Sequence, residues 1–74
     1  MKRIGIYTEY IKLDQFLKLA GIISTGGEAK SFIAERTVLV NGEVEKRRGR
    51  KLKQNDVIKI DDDVYVIEQA GVET

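Results

Sequence analysis

Positive charge is concentrated in one stretch of this sequence, EKRRGRKLK at residues 45–53. Six cations follow Glu45 within eight residues, with no acid among them: Lys46, Arg47, Arg48, Arg50, Lys51 and Lys53. The chain has 13 basic and 12 acidic residues, so the other 66 positions hold seven basic against twelve acidic side chains. Residues 46–53, the basic segment, are therefore a strongly positive stretch in an otherwise mildly acidic molecule.

The basic segment is suited to binding a polyanion. Six like charges at this density repel one another unless a partner of opposite charge neutralises them. Three of the six are arginines, whose planar guanidinium groups match phosphate better than the point charge of a lysine does. A nucleic acid is therefore the favoured partner, and a solvated surface is the alternative. An acidic membrane is disfavoured, because the segment lacks the apolar face of an interfacial helix.

Two other positions extend this candidate patch. Lys12 lies at the predicted start of a helix, where the helix dipole disfavours a cation unless an anion also binds or the side chain points into water. Lys30 follows Gly26 and Gly27, whose backbone N–H groups are candidates for holding a phosphate. Glu28 argues against that second site, because its carboxylate would occupy the same donors and repel an anion.

The composition removes several kinds of chemistry. The chain has no cysteine and no histidine, which excludes thiolate, zinc–thiolate and histidine-base sites. The acidic run at residues 61–63 is better explained by a polar turn than by a metal site. The N-terminus lacks the apolar run of a signal peptide, and no stretch approaches the ~20 apolar residues of a membrane span. We expect a cytoplasmic protein without catalytic residues, cofactor, metal or membrane partner.

The apolar pattern predicts the first half of the fold. Residues 4–8 favour a short strand. A helix ending at Gly21 follows, because apolar residues recur at the i, i+3, i+4, i+7 spacing: Leu13, Phe16, Leu17 and Ala20. A second helix is predicted around Ala29, Phe32 and Ile33, with Thr25 and Glu28 as a capping box at its start.

The second half reads as about four short strands. Asn41-Gly42 between β-forming residues predicts a tight hairpin, and polar turns at residues 54–56 and 61–63 separate two further apolar runs. Helices with one apolar stripe must pack on the sheet, which predicts an α+β fold with antiparallel pairing. We expect one domain over residues 1–70 and a loose tail over residues 71–74.

Residues 12–60 resemble the S4 domain, also called the alpha-L RNA-binding motif. The likeness is carried by KLD opening the first helix, Ala20-Gly21 ending it and Ser24 before the second helix. EAK, FI, VNG after the two helices and the DVI strand complete it. The leading strand, the TGGEAK segment and the short length are most similar to the free-standing YaaA/YbcJ-type bacterial proteins.

The resemblance implies two helices packed on a small, strongly bent, mainly antiparallel sheet, with a basic RNA-binding surface formed by the helix pair and nearby loops. By position, it places four residues on or near that surface, beside the basic segment: Lys12, Ser24, Lys30 and Arg36. It implies a monomer that binds structured RNA, with ribosomal RNA first and transfer RNA as an alternative. It also suggests ribosomal particles as partners in ribosome assembly or translation. The catalytic domains of larger members, such as pseudouridine synthases, have no counterpart in these 74 residues, so no enzyme activity is expected.

The sequence departs from the family pattern at two places. Thr25-Gly26-Gly27 stands where many members have an arginine after the serine, which shifts weight from the second helix to the basic segment. Arg36 stands where a glycine often ends that helix. Either its backbone is left-handed, at a cost of about 1 kcal/mol, or the helix ends differently.

The sequence leaves a second class of function open. A protein-interaction module would use the basic segment to dock an acidic protein, and an exposed apolar patch beside that segment would favour this reading. Single-strand recognition by stacked aromatic residues is disfavoured. Its only candidates are Tyr7, Tyr10 and Tyr65, and at least two of them are expected to pack against the fold.

Overall fold

The computed structural model describes residues 1–70, which form seven strands and two helices. The predicted loose tail, residues 71–74, lies outside the described residues. In chain order the elements are β1 (Lys2–Ile6), β2 (Ile11–Lys12), α1 (Leu13–Leu19), α2 (Glu28–Glu35), β3 (Val38–Val40), β4 (Glu43–Val44), β5 (Lys51–Leu52), β6 (Val57–Ile60) and β7 (Asp63–Gln69).

Five strands form the main sheet in the order β1-β7-β6-β3-β4. The pairs β3–β4, β3–β6 and β6–β7 are antiparallel, whereas β1 runs parallel to β7. Strands β2 and β5 form a separate antiparallel ladder of two residues each. The predicted α+β fold, with two helices and a mainly antiparallel sheet, is confirmed.

The core lies between the helices and one face of the main sheet. Leu13, Phe16 and Leu17 of α1 are fully buried, and α2 contributes Ala29 and Ile33. The sheet contributes alternate residues of its strands, as expected for strands with one buried face: Val38, Val40, Ile58, Ile60, Tyr65 and Ile67. The rings of Phe16 and Tyr65 meet edge to face with centroids 5.5 Å apart, which ties α1 directly to β7.

The ends of the two helices differ in how well the sequence predicts them. Gly21 ends the α1 region as expected, with φ +76° and with hydrogen bonds from its own N–H to Lys18 and from the Ile22 N–H to Leu17, a Schellman motif. The capping-box prediction is wrong in its placement, because α2 begins at Glu28 after Gly27. Two glycines in succession disfavour helix, so Thr25 lies in the preceding turn. Its N–H still donates to the Glu28 carboxylate, at 3.0 Å.

The strand boundaries need two corrections. The first strand spans Lys2–Ile6 rather than residues 4–8, because its parallel register pairs Ile6 with Gln69 near the end of β7. Five strands follow the helices instead of about four, because β5 lies inside the basic segment and pairs with β2. That ladder is short, and residues distant in the sequence form it.

The predicted turns lie where the pattern places them. Asn41 and Gly42 both have positive φ, 52° and 87°, between β3 and β4. Asp61 has φ 55° in the β6–β7 turn, and Ile60 pairs with Asp63 across it. In residues 1–70 no helix has the length and apolar composition needed to cross a membrane.

Candidate nucleic-acid interface

Glu45 anchors the start of the basic segment. Its backbone N–H donates to the Val38 carbonyl at 2.9 Å, and its carboxylate is only 7% exposed. Oε2 accepts hydrogen bonds from the backbone N–H groups of Lys46 and Arg47 and from Nε of Arg47, at 3.0–3.1 Å. Oε1 accepts from Nη2 of Arg47 at 3.2 Å and from Nη1 of Arg50 at 2.8 Å. One buried carboxylate thus holds two of the six cations.

The middle of the basic segment is docked on the start of α1 through the backbone. The N–H of Leu13 donates to the Arg50 carbonyl at 2.8 Å, and the N–H of Asp14 donates to the Arg48 carbonyl at 3.0 Å. The N–H of Gln15 donates to the Asp14 side chain. These amides are the ones that a helix start offers to an anion. They are occupied by the protein itself, so a ligand at this surface does not use the amides of the α1 start.

The β2–β5 ladder brings Lys12 to the basic segment. Lys12 pairs directly with Lys51 in the antiparallel register, and both side chains are exposed. Like charges directly opposite each other in a sheet are destabilising, so this pairing favours an anionic partner. Nζ of Lys51 also lies 4.8 Å from the centroid of the Tyr10 ring, a cation–π contact that keeps Tyr10 beside this surface.

Asp56 anchors the other end of the basic segment. Its Oδ2 accepts from the backbone N–H of Lys53 at 2.7 Å, and its Oδ1 accepts from Nδ2 of Asn41 at 3.0 Å. The Asn41 side-chain oxygen in turn accepts from the N–H of Val57 at 2.9 Å. The segment is therefore fixed to the β3–β4 hairpin at its end as well as to Glu45 at its start.

An open depression of about 690 Å³ lies along the basic segment. Its lining includes four of the six cations: Arg47, Arg50, Lys51 and Lys53. Among the described residues, the side chains of Arg48, Lys51 and Lys53 form no salt bridge. This surface is concave, positive and accessible, and its chemistry fits phosphate groups.

Three of the other predicted site residues are engaged elsewhere or stand apart. Nζ of Lys46 donates to the carbonyl of Ile33 at 3.0 Å, near the end of α2. There it complements the negative end of the helix dipole. Ser24 and Lys30 are exposed near the start of α2, and neither side chain hydrogen-bonds to the basic segment within residues 1–70.

Arg36 settles the question of how α2 ends. Its φ of −111° and ψ of 153° are extended, so the helix ends without a left-handed residue. Its guanidinium forms a salt bridge with Asp61 and lies 5.3 Å from the centroid of the Phe32 ring. The hydrogen bond to Asp61 raises the pKa of Arg36. A contact between Arg36 and RNA would therefore have to replace its salt bridge with Asp61.

The electrostatics of the site centre on Glu45. The hydrogen bond from the Arg47 side chain is the largest cause that lowers the pKa of Glu45 from 4.5 to about 2, and hydrogen bonds from the Arg47 backbone and Arg50 add to it against the opposing effect of desolvation. The same contact raises the pKa of Arg47. Glu45 is therefore ionised at neutral pH, and it offsets one of the six positive charges.

Comparisons with known proteins identify the family of this chain. The family model described as S4 domain matches residues 4–68. The chain belongs to the S4 domain family. It is also similar to the Bacillus subtilis (strain 168) protein named "Probable ribosome maturation protein RlbA", with 57% identity over 58 residues that make up 78% of this chain and 82% of that protein. The resemblance found in the sequence is thus confirmed, and the matched region includes the whole basic segment.

The tyrosines of this S4 domain only partly follow the prediction. Tyr65 is buried in the core, but Tyr10 is 38% exposed and Tyr7 is 85% exposed.

A small apolar depression lies beside the β2–β5 ladder and is lined by Ile11, Gln15, Lys18 and Leu19. It is the kind of patch that the protein-interaction reading requires, and Leu19 at its edge is 54% exposed.

Sequence reasoning missed Glu45 and Asp56, the two acids that shape the basic segment in this S4 domain. The signal for Glu45 was its spacing, because arginines follow it at positions +2 and +5. Its burial and its five hydrogen bonds depend on the chain folding back on itself. Asp56 carried a weaker signal as a turn residue that bonds a nearby backbone N–H.

Proposed function

We propose that this protein binds structured RNA, ribosomal RNA first, through the surface that the basic segment forms with Lys12, and that it acts in ribosome assembly or maturation. The family match supports the RNA-binding part of the proposal. The name of the Bacillus subtilis relative supports the ribosomal part.

The observation that carries the proposal is the fixed arrangement of the basic segment. Its backbone is hydrogen-bonded to α1, to Glu45 and to Asp56, while exposed cations line one open depression. A preformed positive surface binds an RNA backbone without first having to order a loop. Contacts to phosphates supply affinity, and the shape of the folded RNA supplies selectivity.

The RNA-contacting residues under this proposal fall into two groups. The direct group consists of Lys12, which pairs with the basic segment, and of the cations of that segment other than Lys46: Arg47, Arg48, Arg50, Lys51 and Lys53. The outer group consists of Ser24 and Lys30, which make no side-chain hydrogen bond to the basic segment within residues 1–70, and of Arg36 and Lys46, whose side chains bond Asp61 and the Ile33 carbonyl. The direct group is expected to dominate the binding energy.

A salt titration tests the proposal. Binding to hairpin fragments that tile ribosomal RNA, and to DNA hairpins of the same sequence, is measured over a range of salt concentrations. Five or six neutralised phosphates give a slope of log K against log salt of roughly −4 to −5. Replacing Arg48, Lys51 and Lys53 with glutamine should flatten that slope by about 2 to 3.

A matched control separates local contacts from total charge. Lys2, Arg3 and Lys59 are exposed cations on the main sheet, and replacing all three with glutamine changes the net charge equally. That variant should keep a slope close to the wild-type value. Equal effects of the two triple variants, or binding without preference for RNA over DNA, would contradict the proposal.

A protein-interaction module is the second candidate, because the apolar depression around Ile11 and Leu19 lies beside the β2–β5 ladder. An acidic protein that contacts both the depression and the cations would fit this surface. A wild-type protein that shows no RNA preference in the titration would favour this second function.

A further inference from the structure

Glu45 places a negative charge inside a surface that is proposed to bind a polyanion. A negative charge close to phosphates repels them, so its removal should raise affinity for RNA. Glu45 nevertheless lies between Arg47 and Arg50, which both line the open depression. The charge of Glu45 alone does not explain why a carboxylate lies at this position.

The hydrogen bonds of Glu45 fix the direction of both arginine side chains. A guanidinium group offers five N–H donors, and Glu45 takes two from Arg47 and one from Arg50. Within residues 1–70 the remaining side-chain donors of both arginines make no other hydrogen bond, so they can serve a second acceptor. Arg47 is held along its Nε–Nη2 edge and so presents its other edge in a fixed orientation, which suits bidentate binding of a phosphate. Arg50 is held by one hydrogen bond through Nη1.

Glu45 also fixes the backbone from which those side chains project. The N–H groups of Lys46 and Arg47 both donate to Oε2, so the chain turns around the carboxylate where it leaves β4. The Arg50 N–H donates to the Arg47 carbonyl at 3.3 Å, which closes the turn. Without the carboxylate, these two N–H groups and the two arginines lose a shared acceptor.

We propose that Glu45 is a positioning residue of the RNA-binding surface, one that holds the basic segment in its binding shape so that this negative charge raises affinity for RNA. The inference rests on the proposed function, because it assigns a role within the same surface. It predicts that removing an acid weakens binding to a polyanion, which is the opposite of what charge alone predicts.

Glutamine is the informative replacement at this position. Glu45→Gln keeps the size and shape of the side chain, but it turns one of the two oxygens into an N–H donor. In the wild type each oxygen of Glu45 accepts at least two hydrogen bonds. In either orientation, the NH2 group of the glutamine would therefore face N–H donors from which it cannot accept a hydrogen bond. The variant therefore loses this arrangement of hydrogen bonds while its net charge becomes more positive by one unit.

Glu43→Gln is the matched control. Glu43 lies two residues earlier, is exposed, and makes no salt bridge within residues 1–70. Both variants change the net charge by the same amount in the same part of the chain. The affinity of the wild type and of both variants is measured against the ribosomal RNA hairpins used for the salt titration.

The expected result is a split between the two variants. Glu45→Gln lowers RNA affinity roughly tenfold, because two long side chains must be ordered on binding. Glu43→Gln leaves the affinity unchanged or raises it about twofold, as expected for an exposed charge screened by salt. In NMR spectra of the free proteins, the Arg47 Nε–H signal is protected from exchange in the wild type and in Glu43→Gln, and it loses protection in Glu45→Gln.

The outcomes separate this inference from the function on which it rests. If the wild type binds RNA and folded Glu45→Gln binds it as tightly or more tightly, the role of Glu45 is overturned and the proposed function stands. If the wild type shows no RNA preference, both fall. Should Glu45→Gln fail to fold, Glu45→Asp replaces it, because it keeps the charge but withdraws the carboxylate by one methylene. Wild-type affinity in that folded variant would equally overturn the inference.

Discussion

The carboxylate of Glu45 also makes the stability of the domain depend on pH in a defined range. Hydrogen bonds, first of all from the Arg47 side chain, lower its pKa in the folded protein to about 2 from 4.5. A group whose pKa is lowered by folding stabilises the folded state fully above its unfolded pKa, and this contribution is lost as the pH falls through the folded pKa. The loss from Glu45 therefore occurs between about pH 4.5 and pH 2.

Urea unfolding of the wild type and Glu45→Gln tests this range. At about pH 7 the variant should be less stable by roughly 1–3 kcal/mol, because the hydrogen bonds to the charged and buried Glu45 carboxylate are lost. The difference should narrow clearly at about pH 3, where Glu45 has lost part of its contribution. Glu43→Gln should stay within about 0.5 kcal/mol of the wild type at both pH values, as exposed substitutions do. A difference for Glu45→Gln that is independent of pH would contradict this account.

Single residues also show what charge counting leaves out. The sequence shows six cations in eight positions with Lys12 and Lys30 as candidate extensions, and the family resemblance adds Ser24 and Arg36. The structure pairs Arg36 with Asp61 and directs Lys46 to the carbonyl of Ile33. Which acid or carbonyl a long side chain reaches is decided by tertiary placement, so the types and positions of the cations are readable from the sequence and their partners are not.

At the level of elements, Gly21 carries a prediction about how α1 ends. Its φ of +76° disfavours any residue with a Cβ, although a Cβ there would meet no atom within 4 Å. Gly21→Ala should therefore lower the free energy of unfolding by about 1 kcal/mol through backbone strain alone. Gly26→Ala is the control, because its Cβ would also meet nothing and its φ is not in the left-handed range. There alanine should be neutral or stabilise slightly, and equal losses in thermal unfolding would refute the strain argument.

The elements that the sequence predicts best are those with local causes. The α1 stripe, Gly21 and the Asn41-Gly42 hairpin all depend on residues close in the chain, and all three are found in the structure. The β2–β5 ladder and the parallel pairing of β1 with β7 depend on residues about forty or more positions apart. Pairing at such distances is set by the packed core rather than by local propensity, which is why the β2–β5 ladder, which brings Lys12 to the basic segment, was missed.

At the level of the whole molecule, the fold explains how the chain holds a dense cluster of positive charges in one place. The basic segment would repel itself as a free loop, but it is anchored at both ends by acids and in the middle by α1. Each of these anchors depends on the core beneath it, because α1 is held by Leu13, Phe16 and Leu17. The proposed binding surface of this S4 domain is therefore expected to form only when the whole domain is folded.

Phe16 tests this dependence of the surface on the core. It is fully buried and contacts the Tyr65 ring across the interface between α1 and β7, so Phe16→Ala should cost about 3–5 kcal/mol through lost burial and a cavity. A domain of this size has a total stability of roughly 4–11 kcal/mol, so the substitution removes a large part of that stability and raises the unfolded fraction. Urea unfolding followed by circular dichroism measures the loss, and Leu19→Ala, at an exposed position of the same helix, should cost less than about 1 kcal/mol.

RNA binding should be lost together with structure in Phe16→Ala, although Phe16 lies in the core and all six cations of the basic segment remain. Binding that persists in proportion to the folded fraction would agree with this, because the folded molecules retain the anchored segment. Full binding by an unfolded Phe16→Ala protein would instead show that charge density alone suffices. The hydrogen bonds from α1, Glu45 and Asp56 would then be unnecessary for recognition, and the preformed surface would not explain affinity.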